Sequence, residues 1–562
     1  MNILGISCYY HDASASLVQD GKIIAAAEEE RFTRKKHDNR FPELSIAYCL
    51  KEAGLKASNI DLVSFYEKPL LKLERALING IKWKDKSTTL FKKQISKMMH
   101  EDIFLTEALK DKIGYMGKVV FTEHHLAHAA SSYYISKFDR AAILVVDGVG
   151  EYATTSMFSG EENKIHKLQE IHYPDSLGLL YSTLTAFLGF QVNNDEYKVM
   201  GLASYGQPRH IDKLNKIIAF YDDGSFRLNM DYFCFMYDGK QMFNSNFIEL
   251  FGQPRSNDDK ITSYHMDIAA SLQHVLEDGM IRLGNALYNK TKVENVCLSG
   301  GVALNCVANW EFIKRTPFSN ICIQPAAGDA GGSVGAALYA YFHNRIQPRD
   351  IEEYSAFLGP GFSNQEIKGY LDSVGASHTM YDEEGICRKT ADLIYKDQII
   401  GWFQGRMEYG PRALGHRSIL ANPCNPTMKD VLNERVKFRE DFRPFAPAIL
   451  SERAQEYFDI PFDSPYMLFI CNVKTGIGSR IPSVTHVDNT ARLQTVSNTE
   501  NPMFHRLIES FENISGVPIV INTSFNIRGE PIVCTPEDAY NCFMKTDIDY
   551  LVMGNYLVEK EF

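Results

Sequence analysis

One local pattern occurs twice in this chain, and the repetition limits the available folds more than any other feature. Ile3 to Ser7 reads as a strand that breaks at Tyr9-Tyr10-His11-Asp12. Ala13 to Val18 follows, then the Asp20-Gly21 turn and a third strand, Lys22 to Ala27. An Asp-Gly pair between apolar runs is a strong hairpin signal. Further on, Ala141 to Val146 is a buried strand ending at Asp147-Gly148-Val149-Gly150, with a strand from Tyr152 to Phe158 and a turn from Gly160 to Asn163. Two hairpin units, each opening on an Asp- or Gly-bearing bend, predict two related lobes. Two strand-to-helix turns follow. Val296 to Leu298 leads through Ser299-Gly300-Gly301 into a helix over Val302 to Trp310, and Ala326 to Ser333 leads into a small-residue helix over Val334 to Tyr341. Strands alternating with helices in this way predict an α/β fold.

At 562 residues the chain is too long for one hydrophobic core. The pattern loosens between Asn344 and Phe362, through Gln347-Pro348-Arg349-Asp350 and Gly359-Pro360-Gly361, which sets a domain boundary at 1–350 and 351–562. Beyond it, strands at Ile399 to Phe403 and Pro518 to Asn522 alternate with arginine-rich stretches. The net charge of -11 argues against a nucleic-acid partner. The eleven cysteines form no CxxC pair, which suits reduced thiols. Met1 to Gly5 begins a strand rather than a leader, and no apolar run is long enough to span a membrane. The expectation is a cytoplasmic protein without membrane contact; a homodimer stays open.

Three constellations carry chemistry. In Glu123-His124-His125-Leu126-Ala127-His128, a helical backbone puts His124 and His128 one turn apart, the spacing with which two imidazoles grip one cation. Alone, such a pair can be an ordinary polar face. Asp147, ending a buried strand, and Asp329, among glycines before a helix, complete a set suited to Fe(II), Mn(II) or Zn(II). The glycine turns at Gly148 and Gly150, at Gly300 and Gly301, and at Gly331 and Gly332 let backbone N–H groups approach phosphate oxygens. Together they favour a nucleotide cleft of the actin, Hsp70 and sugar-kinase type. The third is a set of arginines and a lysine beside Gly, Pro and Phe: Arg406, Arg412 and Arg417, then Lys437, Arg439 and Arg443, then Arg492 and Arg528. Guanidinium forks match phosphate oxygens, so these suit small phosphorylated substrates.

Several longer stretches resemble the NodU/CmcH O-carbamoyltransferases of antibiotic and nodulation-factor biosynthesis. They are Ile3 to Ser7 through His11 to Ala15, Glu28 to Lys36, Lys198 to Gly206, Ser299 to Asn305, Gly410 to Gly415, and Asn522 to Asn526. The resemblance covers essentially the whole chain. It implies an N-terminal actin-like ATPase (ASKHA) two-lobed domain and a C-terminal YrdC-like α/β domain. It also implies an activity: carbamoyl phosphate and ATP, with Mg(II), form carbamoyl-adenylate with loss of pyrophosphate, and the carbamoyl group then passes to a hydroxyl of a sugar or natural-product acceptor at an iron-type metal site. Carried over by motif, the metal ligands are His124, His128, Asp147 and Asp329. The adenylate meets Gly148, Gly150, Lys198, Gly300, Gly301 and Asn305. Carbamoyl phosphate and ATP meet Arg412, Lys437, Arg443, Arg492, Asn522, Ser524 and Arg528. A base must take the acceptor's proton; His11 is the candidate, while Asp12 could instead bind the acceptor. Lys68 to Glu107 matches no motif. A tRNA threonylcarbamoyl-type transferase shares the N-terminal chemistry but calls for a basic face. A nucleotide-switched chaperone or actin-like protein accounts for the glycine turns but not for the His-Asp set.

Overall fold

A computed structural model describes residues 1–100, 104–346, 349 and 354–560. The chain divides into two units, residues 1–29 with 37–354 and residues 30–36 with 355–562. The boundary expected after residue 350 lies outside the described residues. Residues 30–36, expected in the first domain, cluster with the second.

In the first unit, β1 (Asn2–Ser7), β2 (Ser14–Gln19), β3 (Lys22–Glu28), β4 (Leu62–Phe65) and β5 (Lys118–Phe121) form a sheet of order β3-β2-β1-β4-β5. β1 to β3 run antiparallel, while β4 and β5 join parallel. The Asp20-Gly21 turn has positive φ at both residues, which matches the twist of a two-residue hairpin. A second sheet contains β6 (Arg140–Val146), β7 (Ala153–Glu161), β8 (Lys164–His172), β9 (Asn295–Ser299) and β10 (Asn320–Ile323), in the order β10-β9-β6-β7-β8. β6 to β8 are again antiparallel, and β9 and β10 again join parallel. Counted from its own first strand, each sheet reads 3-2-1-4-5. This duplicated topology is the two-lobed actin-like architecture.

The central strands β1 and β6 are buried almost throughout, so they read as continuous apolar runs rather than alternating ones. Helix α1 (His124–Tyr133) and helix α2 (Gly331–Phe342) cross at backbone contact. A Cβ on Gly335 would lie 1.8 Å from the carbonyl oxygen of Ala127, and one on Gly5 of β1 would lie 1.9 Å from that of Ser333. Small residues thus seat α2 against both β1 and α1. The helix expected from Val302 splits, because Asn305 is extended: a 3₁₀ turn covers Gly301–Leu304 and an α-helix covers Cys306–Arg315.

The second unit is α/β. Its eight-stranded mixed sheet is centred on Ile400–Phe403, Arg417–Ala421 and Ile519–Ser524, over a core that includes Trp402, Leu420, Phe504 and Val520. Among the described residues no helix is long and apolar enough to cross a membrane, and all eleven cysteines are free thiols.

The α1–α2 contact gives a direct test. Gly335→Ala should destabilise the protein by about 1–3 kcal/mol through overpacking, read as a lower urea midpoint. Gly369, whose Cβ would meet nothing within 4 Å, is the control, and Gly369→Ala should not lower it. Equal midpoints for Gly335→Ala and wild type would contradict the close approach.

Candidate metal centre and anion-binding residues

The His-Asp set is built from three separate pieces of chain. α1 supplies His124 and His128 from its first turns, the end of β6 supplies Asp147, and the loop before α2 supplies Asp329. His124 and His128 are 2% and 0% exposed and Asp329 8%. The His124 Nε2 lies 3.0 Å from Asp147 Oδ2 and 3.1 Å from His128 Nε2. Asp329 Oδ1 is 3.6 Å from both imidazoles, and His128 lies 3.7 Å from Asp147 Oδ2.

These spacings fit one cation. Ligand atoms each about 2.1 Å from a shared centre sit about 3.0 Å apart at cis octahedral positions and about 3.4 Å apart in a tetrahedron. Charge points the same way. Asp147 Oδ1 accepts from the Gly301 N–H at 3.2 Å, which leaves Oδ2 aimed at the histidines, while no protein donor among the described residues reaches the buried Asp329 Oδ2. Burial alone would push the His124 imidazole down. The Asp147 hydrogen bond and the charges of Asp329 and Asp147 overcome it and raise the ring to about 9. Burial likewise pushes the Asp147 carboxyl up, but the His124 hydrogen bond and the neighbouring imidazoles hold it well below the usual carboxylate range. The pocket favours positive charge, and a divalent cation supplies it.

Residues that the sequence did not mark hold this set in place. The buried Glu151 carboxylate accepts from the His124 N–H, at 3.0 and 3.1 Å to its two oxygens, and from the Lys68 N–H at 2.7 Å. It caps the N-terminus of α1, where an anion is favoured. The Ser176 hydroxyl donates to the carbonyls of Asp147 and Gly148. Arg75, in the stretch that matched no motif, donates to the Gly150 carbonyl and lies over the Tyr173 ring. Glu151 directly follows the Asp147–Gly150 turn, so its position carried a signal; Arg75 carried none.

The expected nucleotide residues divide. Gly148 has open space where a side chain would be, and Gly301 is exposed, so both can admit a ligand. Gly150 instead makes room for the histidines: a Cβ there would lie 2.9 Å from the His124 ring. Gly300 has φ +88, and a Cβ would sit 2.3 Å from the Val146 carbonyl oxygen. Lys198 is buried in an ion pair with Asp195 at 3.1 Å. The Asn305 amide is committed within the protein. Its oxygen accepts from the Ala308 N–H and the Gln273 amide, and its nitrogen donates to Gln273.

His11, the expected base, is engaged at both ring nitrogens. Its Nδ1 faces Asp12 Oδ2 at 2.7 Å and its Nε2 faces the Asn193 carbonyl oxygen at 2.7 Å. Both partners can only accept, so both ring nitrogens carry hydrogen. Burial lowers this imidazole, but the Asp12 charge and hydrogen bond dominate and raise it to about 10. In that state the ring has no lone pair free for the acceptor's proton. Asp12 is engaged too, because its other oxygen lies 2.7 Å from His37 Nδ1.

In the second unit, the arginine-rich loop is partly structural. The fully buried Arg417 donates to the carbonyls of Gln404, Gly405, His416 and Pro360 and lies over the Phe403 ring at 3.7 Å; Arg406 donates to Leu358 and Gly359. Glu408 shapes the same loop by accepting from the N–H groups of Leu414, His416 and Arg417. Lys437 ends a π-helical turn just before Phe438, which has φ +47. Its ammonium donates to the Ser524 carbonyl and to Asn526, and burial, then the Arg439 charge, hold it well below the ordinary lysine range. Arg443 and Arg528 converge on one carboxylate, each 3.7 Å from Glu440. Asn522 is buried and donates to Ala413 and Gln494. Arg412 and Arg492 are part-buried.

Residues 2–338 match the family model described as "Carbamoyltransferase N-terminus", and residues 391–560 match "Carbamoyltransferase C-terminus". The chain is 47% identical to an uncharacterized protein of Synechocystis sp., covering 100% of this chain and 97% of that one. It is 38% identical to Nodulation protein NolNO of Sinorhizobium fredii, covering 98% and 79% respectively. The solved HypF of T. kodakarensis is similar at 15% identity with a TM-score of 0.32, over 61% of this chain and 47% of that one, a likeness too distant to carry an argument.

The His11 assignment predicts a pH effect in chelator-treated protein. A folded-state value raised from 6.5 to about 10 makes this group's stabilising contribution complete below pH 6.5 and lost as pH rises through about 10. Imidazole nitrogen shifts at pH 8 should report a doubly protonated His11, and Asp12→Asn should flatten the stability slope between pH 7 and pH 10. A neutral His11 at pH 8 would restore the base role.

Proposed function

We propose how this chain, which belongs to the carbamoyltransferase family, carries out its transfer: the second unit makes carbamoyl-adenylate, and the first unit delivers the carbamoyl group to a hydroxyl. The observation that carries this reading is the buried His124, His128, Asp147 and Asp329 set, whose donor atoms all lie within 4.8 Å of one another. A divalent cation held there would act as a Lewis acid toward a carbonyl oxygen.

The residues around that set have defined tasks. Asp147 stays ionised because Gly301 holds one oxygen and the imidazoles face the other. Glu151 fixes the helix end that carries His124, so the two imidazoles keep their separation. Gly148 and Gly301 offer the approach for an adenylate phosphate beside the ligands. Fe(II) is the first choice for the cation, with Mn(II) and Zn(II) as the others, since imidazole and carboxylate ligands suit all three.

In the second unit, Arg443 and Arg528, with Arg412 and Arg492, supply cationic charge for carbamoyl phosphate and ATP, and Lys437, buried on Ser524 and Asn526, is a further contact for them. Glu440 holds the first two arginines while no anion is bound. Carbamoyl phosphate, ATP and one water give carbamoyl-adenylate, phosphate and pyrophosphate, with Mg(II) on the triphosphate. The acceptor oxygen then forms the new bond to the carbamoyl carbon, the bond to the adenylate oxygen breaks, and AMP leaves, the acceptor's proton passing to its phosphate or to solvent. The acceptor proposed is a hydroxyl of a sugar or natural product, the class to which the resemblance points. Arg75, which bonds the Gly150 carbonyl beside the ligand set, is a candidate to orient it.

Single substitutions separate the two reactions. Arg443→Ala should lower adenylate formation about 10–100-fold, the loss of one charge-assisted contact of about 1.5–3 kcal/mol. Given ready-made carbamoyl-adenylate, that variant should transfer at near wild-type rate. His128→Ala should release pyrophosphate but give no carbamoylated product, and should hold one metal equivalent fewer than wild type. Both folded variants failing both assays would point to a single composite site instead.

A further inference from the structure

We propose that His11, Asp12 and His37 form a second divalent-cation site, separate from the His124 set. The inward-facing nitrogens, His11 Nδ1 and His37 Nδ1, each lie 2.7 Å from a different oxygen of Asp12. The rings are 4.7 Å apart, and one ligand atom from each of the three residues falls within 4.8 Å of the others. Two imidazoles and one carboxylate on one side of a centre are the ligand set of many open transition-metal sites.

The outward-facing nitrogens carry the argument further. His11 Nε2 lies 2.7 Å from the Asn193 carbonyl oxygen, and His37 Nε2 lies 2.8 Å from Asn194 Oδ1. The Asn194 amide is oriented by its own neighbours, since its nitrogen donates to Asp195 at 3.0 Å and to Gln191 at 3.4 Å. Both histidines therefore donate Nε2–H to a fixed oxygen and turn Nδ1 toward the carboxylate. Metal-bound histidines show this outer pattern, in which a carbonyl or amide oxygen fixes the tautomer and aims the other nitrogen at the ion. Here two adjacent residues, Asn193 and Asn194, serve both rings. A cation entering between the Nδ1 atoms and Asp12 would leave the Nε2 bonds in place.

The backbone is also committed at this point. Asp12, His37 and Asn193 all have positive φ, from +44 to +60. A left-handed conformation costs a non-glycine residue about 1–2 kcal/mol. Three such residues at one cluster mark a place where side-chain position outweighs backbone comfort. Unlike the His124 set, the cluster is open: the side chains of His11, Asp12 and His37 are 24%, 27% and 29% exposed. A cation there would keep positions for exchangeable oxygens. Insofar as the transfer reading above holds, one of those positions suits the acceptor hydroxyl, whose proton a bound cation makes easier to remove. The site itself rests only on the geometry around His11 and His37.

Metal counting tests this without any assay of transfer. The untagged full-length chain is stripped with chelator, reloaded with excess Zn(II), freed of unbound ion by gel filtration and analysed by mass spectrometry, with Co(II) absorption as a second readout. Wild type should hold two equivalents, His37→Ala one, His128→Ala one, and the double variant none. Asn194→Ala, which leaves all ligands in place, should weaken Zn(II) at the second site about 10–100-fold. One equivalent in wild type, or an unchanged count in folded His37→Ala, overturns the proposal and leaves an ion-paired imidazole–carboxylate cluster. Failure of the carbamoyl-adenylate reading with two ions still bound would leave this site standing.

Discussion

Two carboxylates buried beside two imidazoles set the terms for the rest of the first unit. A buried charge without a partner costs several kcal/mol, and removing one partner from such a group costs more than the pair is worth. Asp147 is steadied by the Gly301 N–H and, among the described residues, Asp329 lacks a protein donor on one oxygen, so the set is balanced only when positive charge sits among its four members. Much of the surrounding structure keeps those members close. Gly335 and Gly5 let α2 lie at backbone distance from α1 and β1, Gly150 clears the His124 ring, and Glu151 and Ser176 fix the ends of the two chain segments. A duplicated sheet is well suited to this task. Asp147 follows the first strand of the second sheet, and α1 and the loop before α2 bring the other three members to it.

The second unit handles charge differently. Arg417 is fully buried yet surrounded by carbonyl oxygens and an aromatic face, so its guanidinium acts as a staple for three loops. Arg443 and Arg528 instead share a single carboxylate at 3.7 Å, a loose pairing that an entering phosphate can outcompete. Arginines that look alike along the chain therefore divide by what their N–H groups face.

This division explains which features the sequence made legible. The repeat was readable because hairpin turns and buried central strands leave local marks, such as Asp20-Gly21 and the unbroken apolar run of β6. The four metal-set residues were readable because helical spacing and strand ends are also local. Partners supplied from a distance were not. Nothing near His11 in sequence announces that Asn193 will occupy its second nitrogen, and nothing near Asn305 announces Gln273. A base and a nucleotide contact were expected at those two positions, and both side chains also make tertiary hydrogen bonds that the local sequence does not announce. His37 lies one residue beyond a recognisable motif, and only the fold brings it to Asp12.

The segment from Glu30 to Lys36 has one more consequence. Although it precedes most of the first unit in the chain, Arg31 bonds the Gly410 carbonyl and Arg34 bonds those of Pro531 and Ile532, while Phe32 packs against Met407, Ile532 and Cys534. The polypeptide therefore passes from one unit to the other between residues 29 and 30, back between 36 and 37, and across again between 354 and 355. No single cut in the gene yields either unit whole, because a fragment beginning at 355 lacks a piece of its own packing. The two halves cannot be exchanged among proteins like beads on a string. They must be inherited, and altered, together.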